Sequence, residues 1–265
     1  MEELALKLPG SSDFFTQEAY KVLRTNIQFC GPDIKVIAIT SCYENEGKTT
    51  VALHLAKSFA ELGKRVLLID LDMRKSVMAG RNTTAKDTIG LSEVLTGMNS
   101  LQECLYPTQF KNLQILFSGQ YPPNPVELIS GKYFADLIAD ARNVYDYIIL
   151  DTPPLGRVID AAVASTLCDG TILVMSGNRV RVKQAKEVVS QLGMSNCKIL
   201  GVVRNNTRKS QSKRSGYYKG YRGYYGYYNS YNSYNNSYGY SNAYTYGYGN
   251  KQNKKDSDAD KKSKK

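Results

Sequence analysis

The sequence predicts an α/β fold in which a mostly parallel sheet carries helices on both faces. Three observations support this. Apolar runs recur between residues 34 and 203, and they are continuous rather than alternating, as strands buried on both faces require. Segments with helical spacing lie between them, and such crossovers are how parallel neighbours connect. Three of the runs end in chemically distinctive residues, at the carboxyl ends where such sheets bind ligands.

The elements follow in order. Residues 14–29 carry Phe15, Ala19, Val22, Leu23 and Ile27 at helical spacing, with Asp13 or Thr16 as the cap. Glu18, Lys21 and Arg24 lie three apart and share one sector of that helix, which by spacing alone reads as a solvated face. A strand at 34–40, a loop at 41–47 and a helix at 48–62 come next, the helix ended by Gly63. The sole histidine, His54, lies in this helix and reads as a boundary residue rather than a catalyst. A strand at 65–69 runs into Asp70–Arg74, and the polar stretch 75–90 reads as a loop. Short helices are expected at 91–95 and 101–105, a strand at 112–117, and irregular chain through the prolines of SGQYPPNP. One helical stretch at 125–142, a strand ending at Asp151, a helix near 159–167, a strand at 170–175, a helix at 181–192 and a strand at 198–203 complete the series.

The chemistry gathers at three strand ends. IAITSCYENEGKTT, Ile37 to Thr50, is an apolar run closing on Gly47-Lys48-Thr49-Thr50, the end of a phosphate-binding loop, although Cys42 stands where such loops begin with glycine. Backbone N–H groups around Asn45, Glu46 and Gly47 and the following helix N-terminus form an anion cradle. Lys48 is placed to reach β- and γ-phosphates, and Thr49 to offer its hydroxyl to Mg²⁺. LLIDLDMR sets Asp70 and Asp72 just past a second strand, and IILDTPP sets Asp151 past a third. Carboxylates beside a phosphate loop supply the hard oxygen ligands that Mg·ATP needs. The fold expectation sharpens accordingly to a P-loop NTPase-like sheet binding ATP and Mg²⁺. Cys42, near a helix N-terminus, reads as a buried inert thiol rather than a reactive one.

Charge divides the chain unevenly. From Arg208 onward 13 Lys/Arg face 3 Asp, a net of +10, which leaves +1 of the total +11 for residues 1–207. A near-neutral domain at 1–206 is thus expected, followed at 207–265 by a basic tail expected to be disordered for want of aliphatic residues. The tail holds 14 tyrosines between 217 and 248: Tyr217, Tyr218, Tyr221, Tyr224, Tyr225, Tyr227, Tyr228, Tyr231, Tyr234, Tyr238, Tyr240, Tyr244, Tyr246 and Tyr248. Five widely spaced cysteines without a CxxC fit reduced thiols rather than a disulfide framework or a zinc site. No apolar run approaches the roughly 18 residues of a membrane span, so membrane association is expected through a partner or through charge.

With these residues in view, the chain resembles the bacterial tyrosine kinases of capsule and exopolysaccharide synthesis. The resemblance covers roughly residues 14–206 and the character of the tail. It rests on the loop ending GKTT, on IDLDMR followed by Lys75, on IILDTPP and on the terminal tyrosines. It implies an ATP-dependent autokinase whose tail tyrosines are the acceptors, with transfer between subunits of a ring-like homo-oligomer that phosphorylation loosens. EAYKVLRTNI is similar to the family's oligomerisation helix, which gives Glu18, Lys21 and Arg24 an intersubunit role; Lys21 stands where the family usually has arginine. Pro-Gly is usual where Glu44-Asn45 stand. Asp70 becomes the expected acceptor of the tyrosine proton, Asp72 and Asp151 the metal-sphere carboxylates, and Asn205 a contact to adenine. The stand-alone form of the family implies a cytoplasmic protein recruited to the inner face of the plasma membrane by a separate membrane-embedded activator. A tyrosine phosphatase is a further implied partner, and nucleic acid is not.

Two other readings compete. Partition or septum-placement ATPases share the fold, but they carry a second lysine five positions before the loop lysine, where this chain has Tyr43. An ATP-gated scaffold whose basic, aromatic tail binds RNA or condenses is the other.

Overall fold

The computed structural model describes residues 3–9, 13–82, 88–177 and 180–206. The expected tail, with all its tyrosines, lies outside the described residues. The strands are β1 (Val36–Ser41), β2 (Val66–Asp70), β3 (Leu105–Pro107), β4 (Leu113–Leu116), β5 (Tyr147–Asp151), β6 (Gly170–Ser176) and β7 (Ile199–Asn205). They form one sheet in the order β3-β4-β2-β5-β1-β6-β7. Every pairing is parallel except that of β3 with β4.

The continuous apolar runs divide by the period of two. Ile37, Ile39, Leu68 and Ile149 enter one core with Val51, Leu55 and Phe59 of helix α2 (Lys48–Glu61). Val36, Leu67, Ile69, Ile148 and Leu150 enter the opposite core with Phe134, Ile138 and Ala141 of helix α7 (Lys132–Val144). Both faces of the central strands are therefore dry, and β1, β2 and β5 carry no polar alternation, whereas edge strand β7 stays partly exposed.

Helix α1 (Phe14–Phe29) begins at Asp13, whose carboxylate accepts from Thr16 N at 2.7 Å. It packs on α2 through Ile27 and through Tyr20, which stacks on His54 at 4.6 Å between ring centroids. The remaining helices are α3 (Met78–Asn82), α4 (Leu91–Leu95), α5 (Leu101–Cys104), α6 (Pro125–Ser130), α8 (Asp160–Ser165) and α9 (Val182–Met194).

Three differences from the expected elements have physical causes. The stretch read as loop at 75–90 contains α3, because Met78 and Asn82, one turn apart, are buried together. The helix read at 125–142 is two helices parted at Gly131, whose extended φ of −75° and ψ of 161° interrupt the helical path. The helix read at 101–105 stops at Cys104, and Leu105 starts the antiparallel edge strand, which pairing with Leu116 stabilises.

Candidate active site

β1 leads into the loop 42–47 and then α2. The loop reverses through two left-handed residues, Asn45 at φ 61° and Gly47 at φ 90°. Asn tolerates that region better than most side chains, but a Cβ on Gly47 would lie 1.9 Å from Nδ2 of Asn205. Glycine is thus required twice over at this position. α2 has no side-chain cap at its N-terminus, so its leading N–H groups stay available to an anion.

Glu46 and Asn205, both expected at the nucleotide, brace the loop. The Glu46 carboxylate turns inward and accepts from Tyr43 N at 2.9 Å and from Ser176 N at 3.2 Å. Asn205, at the end of β7, donates from Nδ2 to the Glu46 carbonyl at 3.0 Å. Asn45, Gly47, Lys48, Thr49 and Thr50 do line a cavity of about 320 Å³, together with Asp72, but neither Glu46 nor Asn205 does. The side chain of Asn205 is committed to the loop in this geometry, and Glu46 has only its backbone to offer a phosphate.

The carboxylates converge as the strand order dictates. β2 and β5 are adjacent, and their register sets Asp70 directly beside Asp151. Asp72 lines the cavity, and its Oδ2 lies 3.3 Å from Lys48 Nζ. Its Oδ1 accepts from Lys75 N at 3.0 Å. Asp70 sits deeper, 1% exposed, accepting from Asp72 N at 3.2 Å and from the Ser76 hydroxyl. Burial, then the Asp151 and Asp72 charges, push the Asp70 carboxyl up. Burial also raises Asp151, against the pull of Lys48 and of a hydrogen bond from Thr49. Burial alone would lower Lys48, but Asp151, Asp72 and Asp70 outweigh it and hold the ammonium above its ordinary value.

Does this group suit Mg²⁺? Asp151 Oδ1 is buried without a hydrogen-bond partner, next to the Thr49 hydroxyl. Among the described residues no set of three or more His, Cys, Asp or Glu side chains forms a metal cage. The expected metal residues are Thr49, Asp72 and Asp151, a partial set with two carboxylates. The partial set fits Mg²⁺, which keeps several waters and takes phosphate oxygens rather than a full protein shell.

Further residues shape the site, and no local spacing marks Arg81, Arg157 or Asp160 among them. Arg74 donates from Nε to Asp160 Oδ1 at 3.0 Å, and Asp160 is buried with Oδ2 unpartnered. Lys75 Nζ meets Glu44 Oε2 at 3.0 Å across the cavity. Arg81 and Arg157 line the same cavity, Arg157 with its guanidinium 5.9 Å from the centre of the Tyr43 ring. Gly156 brings the DTPP segment against the loop, where a Cβ would lie 2.2 Å from the Cys42 carbonyl. Cys42 itself is buried, and burial followed by the Glu46 charge pushes its thiol up to about 11, the inert reading.

On α1 the expected trio separates. Lys21 Nζ pairs with Glu18 at 2.7 Å on the surface, whereas Arg24 turns inward and donates to the Ser58 carbonyl at 2.6 Å. The geometry leaves Glu18 and Lys21 on the surface and uses Arg24 inside the chain.

Comparison with known proteins adds the family. A sequence profile of the AAA domain matches residues 34–194. The tyrosine-protein kinase CpsD of Streptococcus agalactiae is 39% identical over 202 residues, 76% of this chain and 88% of that protein. The chain belongs to the bacterial tyrosine-protein kinases. Tyrosine-protein kinase YwqD of Bacillus subtilis is likewise 39% identical, over 76% of this kinase and 85% of its own length. Among solved structures, the kinase domain of the Escherichia coli tyrosine kinase ETK superposes with a TM-score of 0.70 at 30% identity, covering 76% of this chain and 79% of that one. The septum site-determining protein MinD of Pyrococcus horikoshii, complexed with Mg-ADP, has the same P-loop NTPase-like fold at a TM-score of 0.55 and 27% identity, covering 69% of this chain and 73% of that one. The likeness is thus greater to the kinases than to the septum-placement ATPase. Among the described residues no helix is long and apolar enough to cross a membrane.

Proposed function

We propose that the kinase transfers the γ-phosphoryl group of ATP to tyrosines of its own tail, between subunits of a ring-like homo-oligomer, and thereby regulates capsule or exopolysaccharide synthesis and export. The observation that carries this reading is Lys48, first residue of an uncapped helix, held 3.3 Å from Asp72 beside the Asp70–Asp151 pair. A phosphate chain laid along Gly47–Thr50 meets backbone N–H groups, the helix terminus and the Lys48 ammonium together. Lys48, held by Asp72 at 3.3 Å, would exchange that carboxylate for phosphate oxygens and leave Asp72 free.

Thr49, Asp72 and Asp151 are the residues that would hold Mg²⁺. When bound, that ion neutralises charge on the β- and γ-phosphates of a loose phosphoryl-transfer transition state. The protein's own work is alignment. The tyrosine oxygen bonds to Pγ as the Pγ–O bond to ADP breaks, and the hydroxyl proton passes to a carboxylate. Asp70 is assigned that role by the family resemblance. It lies buried behind Asp72 of the cavity wall, steadied by Ser76 and the Asp72 N–H, so the role requires that ATP and tyrosine binding open a path to it.

The same reading divides the chain into a kinase domain at 1–206 and a tail at 207–265 with its acceptors at 217–248. Glu18 and Lys21 are assigned to contacts between subunits. A membrane-embedded activator outside this chain recruits the kinase to the inner face of the plasma membrane, and a tyrosine phosphatase reverses the reaction. Incubation with labelled ATP and Mg²⁺, followed by a phosphotyrosine blot, tests it. The signal is expected to need the activator's cytosolic segment for full strength and to vanish in Lys48→Met. A wild-type chain that stays silent with that segment present sinks the proposal.

A further inference from the structure

Among the described residues, charge pairing in the cavity leaves two guanidinium groups over. Five cationic side chains line it: Lys48, Arg74, Lys75, Arg81 and Arg157. Lys48 faces Asp72, Arg74 is held by buried Asp160, and Lys75 is held by Glu44. Among the described residues Arg81 and Arg157 make no ion pair. Arg157 stands over the face of Tyr43, and the Glu44 carboxylate, already held by Lys75, feels its charge only at longer range. The two arginines come from separate segments, α3 and the stretch after Pro154, and the fold brings both to the same cavity. The phosphate loop already supplies Lys48 and a helix terminus to the nucleotide, which does not account for two further arginines.

The chemistry of an arginine pair is specific. Guanidinium groups bind phosphate oxygens in a planar, forked geometry, and two of them balance one phosphate monoester of charge about −1.5 to −2. The acceptor tail is the segment that gains such groups. In its unmodified form it carries +10 over residues 208–265, which disfavours a wall rich in cations. Those charges lie at 208–222 and 251–265, while 223–250 carries none, so a single phosphotyrosine there turns a neutral stretch locally anionic. The acceptors stand one to four residues apart, so a bound phosphotyrosine keeps its neighbours close to the transfer site.

We propose that Arg81 and Arg157 form a phosphotyrosine subsite on the wall of the active cavity, which retains a partly phosphorylated tail and makes successive transfers processive. This rests on the proposed autokinase reading and names a second ligand for the same site.

The test uses the full chain with saturating Mg·ADP, so that no turnover is involved. A fluorescent peptide of residues 229–238, with Tyr234 either phosphorylated or free, is titrated and its affinity measured. The phosphorylated peptide is expected to bind at least ~10-fold tighter, the worth of a charge-assisted pair. Arg81→Ala and Arg157→Ala should each remove most of that difference, and Arg→Lys at either position should restore part of it, because Lys keeps the charge but not the fork. Equal affinity of the two peptides overturns the proposal. So does a loss of Mg·ADP affinity in the arginine variants as large as the loss of peptide affinity, which would make these residues nucleotide contacts. A peptide with glutamate at position 234 that binds as tightly as the phosphopeptide also overturns it, in favour of an acidic protein segment. Failure here leaves the phosphotyrosine signal from ATP intact, and absence of that signal leaves peptide binding measurable, so the two readings fail separately.

Discussion

Gly47 shows most directly how single residues set this site. Its φ of 90° opposes any side chain, and a Cβ there would meet Asn205 Nδ2 at 1.9 Å. Gly47→Ala is expected to weaken ATP binding at least ~10-fold, because strain at a left-handed position and a displaced Asn205 both distort the cradle. Adding Asn205→Ala should recover only part of the loss, since it removes the collision but not the strain; nucleotide titration of the single and double variants checks this. Asp70 makes the opposite trade. Its carboxyl is fully buried beside Asp151, and burial there favours the neutral form. Asp70→Asn is expected to stabilise the nucleotide-free protein by about 1–3 kcal/mol in thermal unfolding while abolishing phosphoryl transfer. Lys48, Asp72 and Asp151 were legible because each follows an apolar run closely. Arg81, Arg157 and Asp160 were not, because their roles come from distant segments meeting, and no local spacing records that. The bracing roles of Glu46 and Asn205 were not legible for a related reason: a polar residue near a phosphate loop serves the loop as readily as the ligand.

Among the elements, α1 and α2 are joined by a polar contact as well as by apolar packing. Ser58 lies in the last turn of α2, and the Arg24 guanidinium meets its carbonyl, one of those a helix end leaves unsatisfied. Arg24→Ala is expected to cost about 1–3 kcal/mol of stability in denaturant unfolding, whereas Glu18→Ala and Lys21→Ala should act on sedimentation of the assembly and leave unfolding nearly unchanged. His54 adds a pH dependence. It stacks on Tyr20 and hydrogen-bonds the Pro9 carbonyl at 2.9 Å, and burial, reinforced by the Lys57 charge, lowers its pKa. A base lowered on folding contributes stability above its unfolded value, about 6.5, and loses it as pH falls through that value toward the folded one. Stability should therefore decline between pH 7 and 5.5 in the wild type and decline less in His54→Phe. The strands were readable because fully buried runs leave a continuous apolar signature. The short α3 and the edge strand β3 were not, because the joint burial of Met78 and Asn82 and the pairing of Leu105 with Leu116, rather than periodicity, decide them.

For the whole molecule, the sequence divides charge in a way that phosphorylation can invert. The tail's +10 would be cancelled by about five to seven phosphates at −1.5 to −2 each. Unphosphorylated chains are expected to bind anionic vesicles and to sediment as larger assemblies than fully phosphorylated ones, with both differences shrinking at high salt. Equal behaviour of the two forms would remove the electrostatic basis of regulation. The central claim, transfer between copies onto the tail, is tested most directly by mixing two full-length chains with Mg·ATP and the activator segment. One carries Lys48→Met with an intact tail; the other keeps Lys48 but has the 14 tail tyrosines replaced by phenylalanine. Site-resolved mass spectrometry should find phosphate on tyrosines 217–248 of the Lys48→Met chain, and none when that chain is incubated alone. Phosphate absent from the mixed sample, while the unaltered chain alone is phosphorylated on its tail, would contradict transfer between subunits.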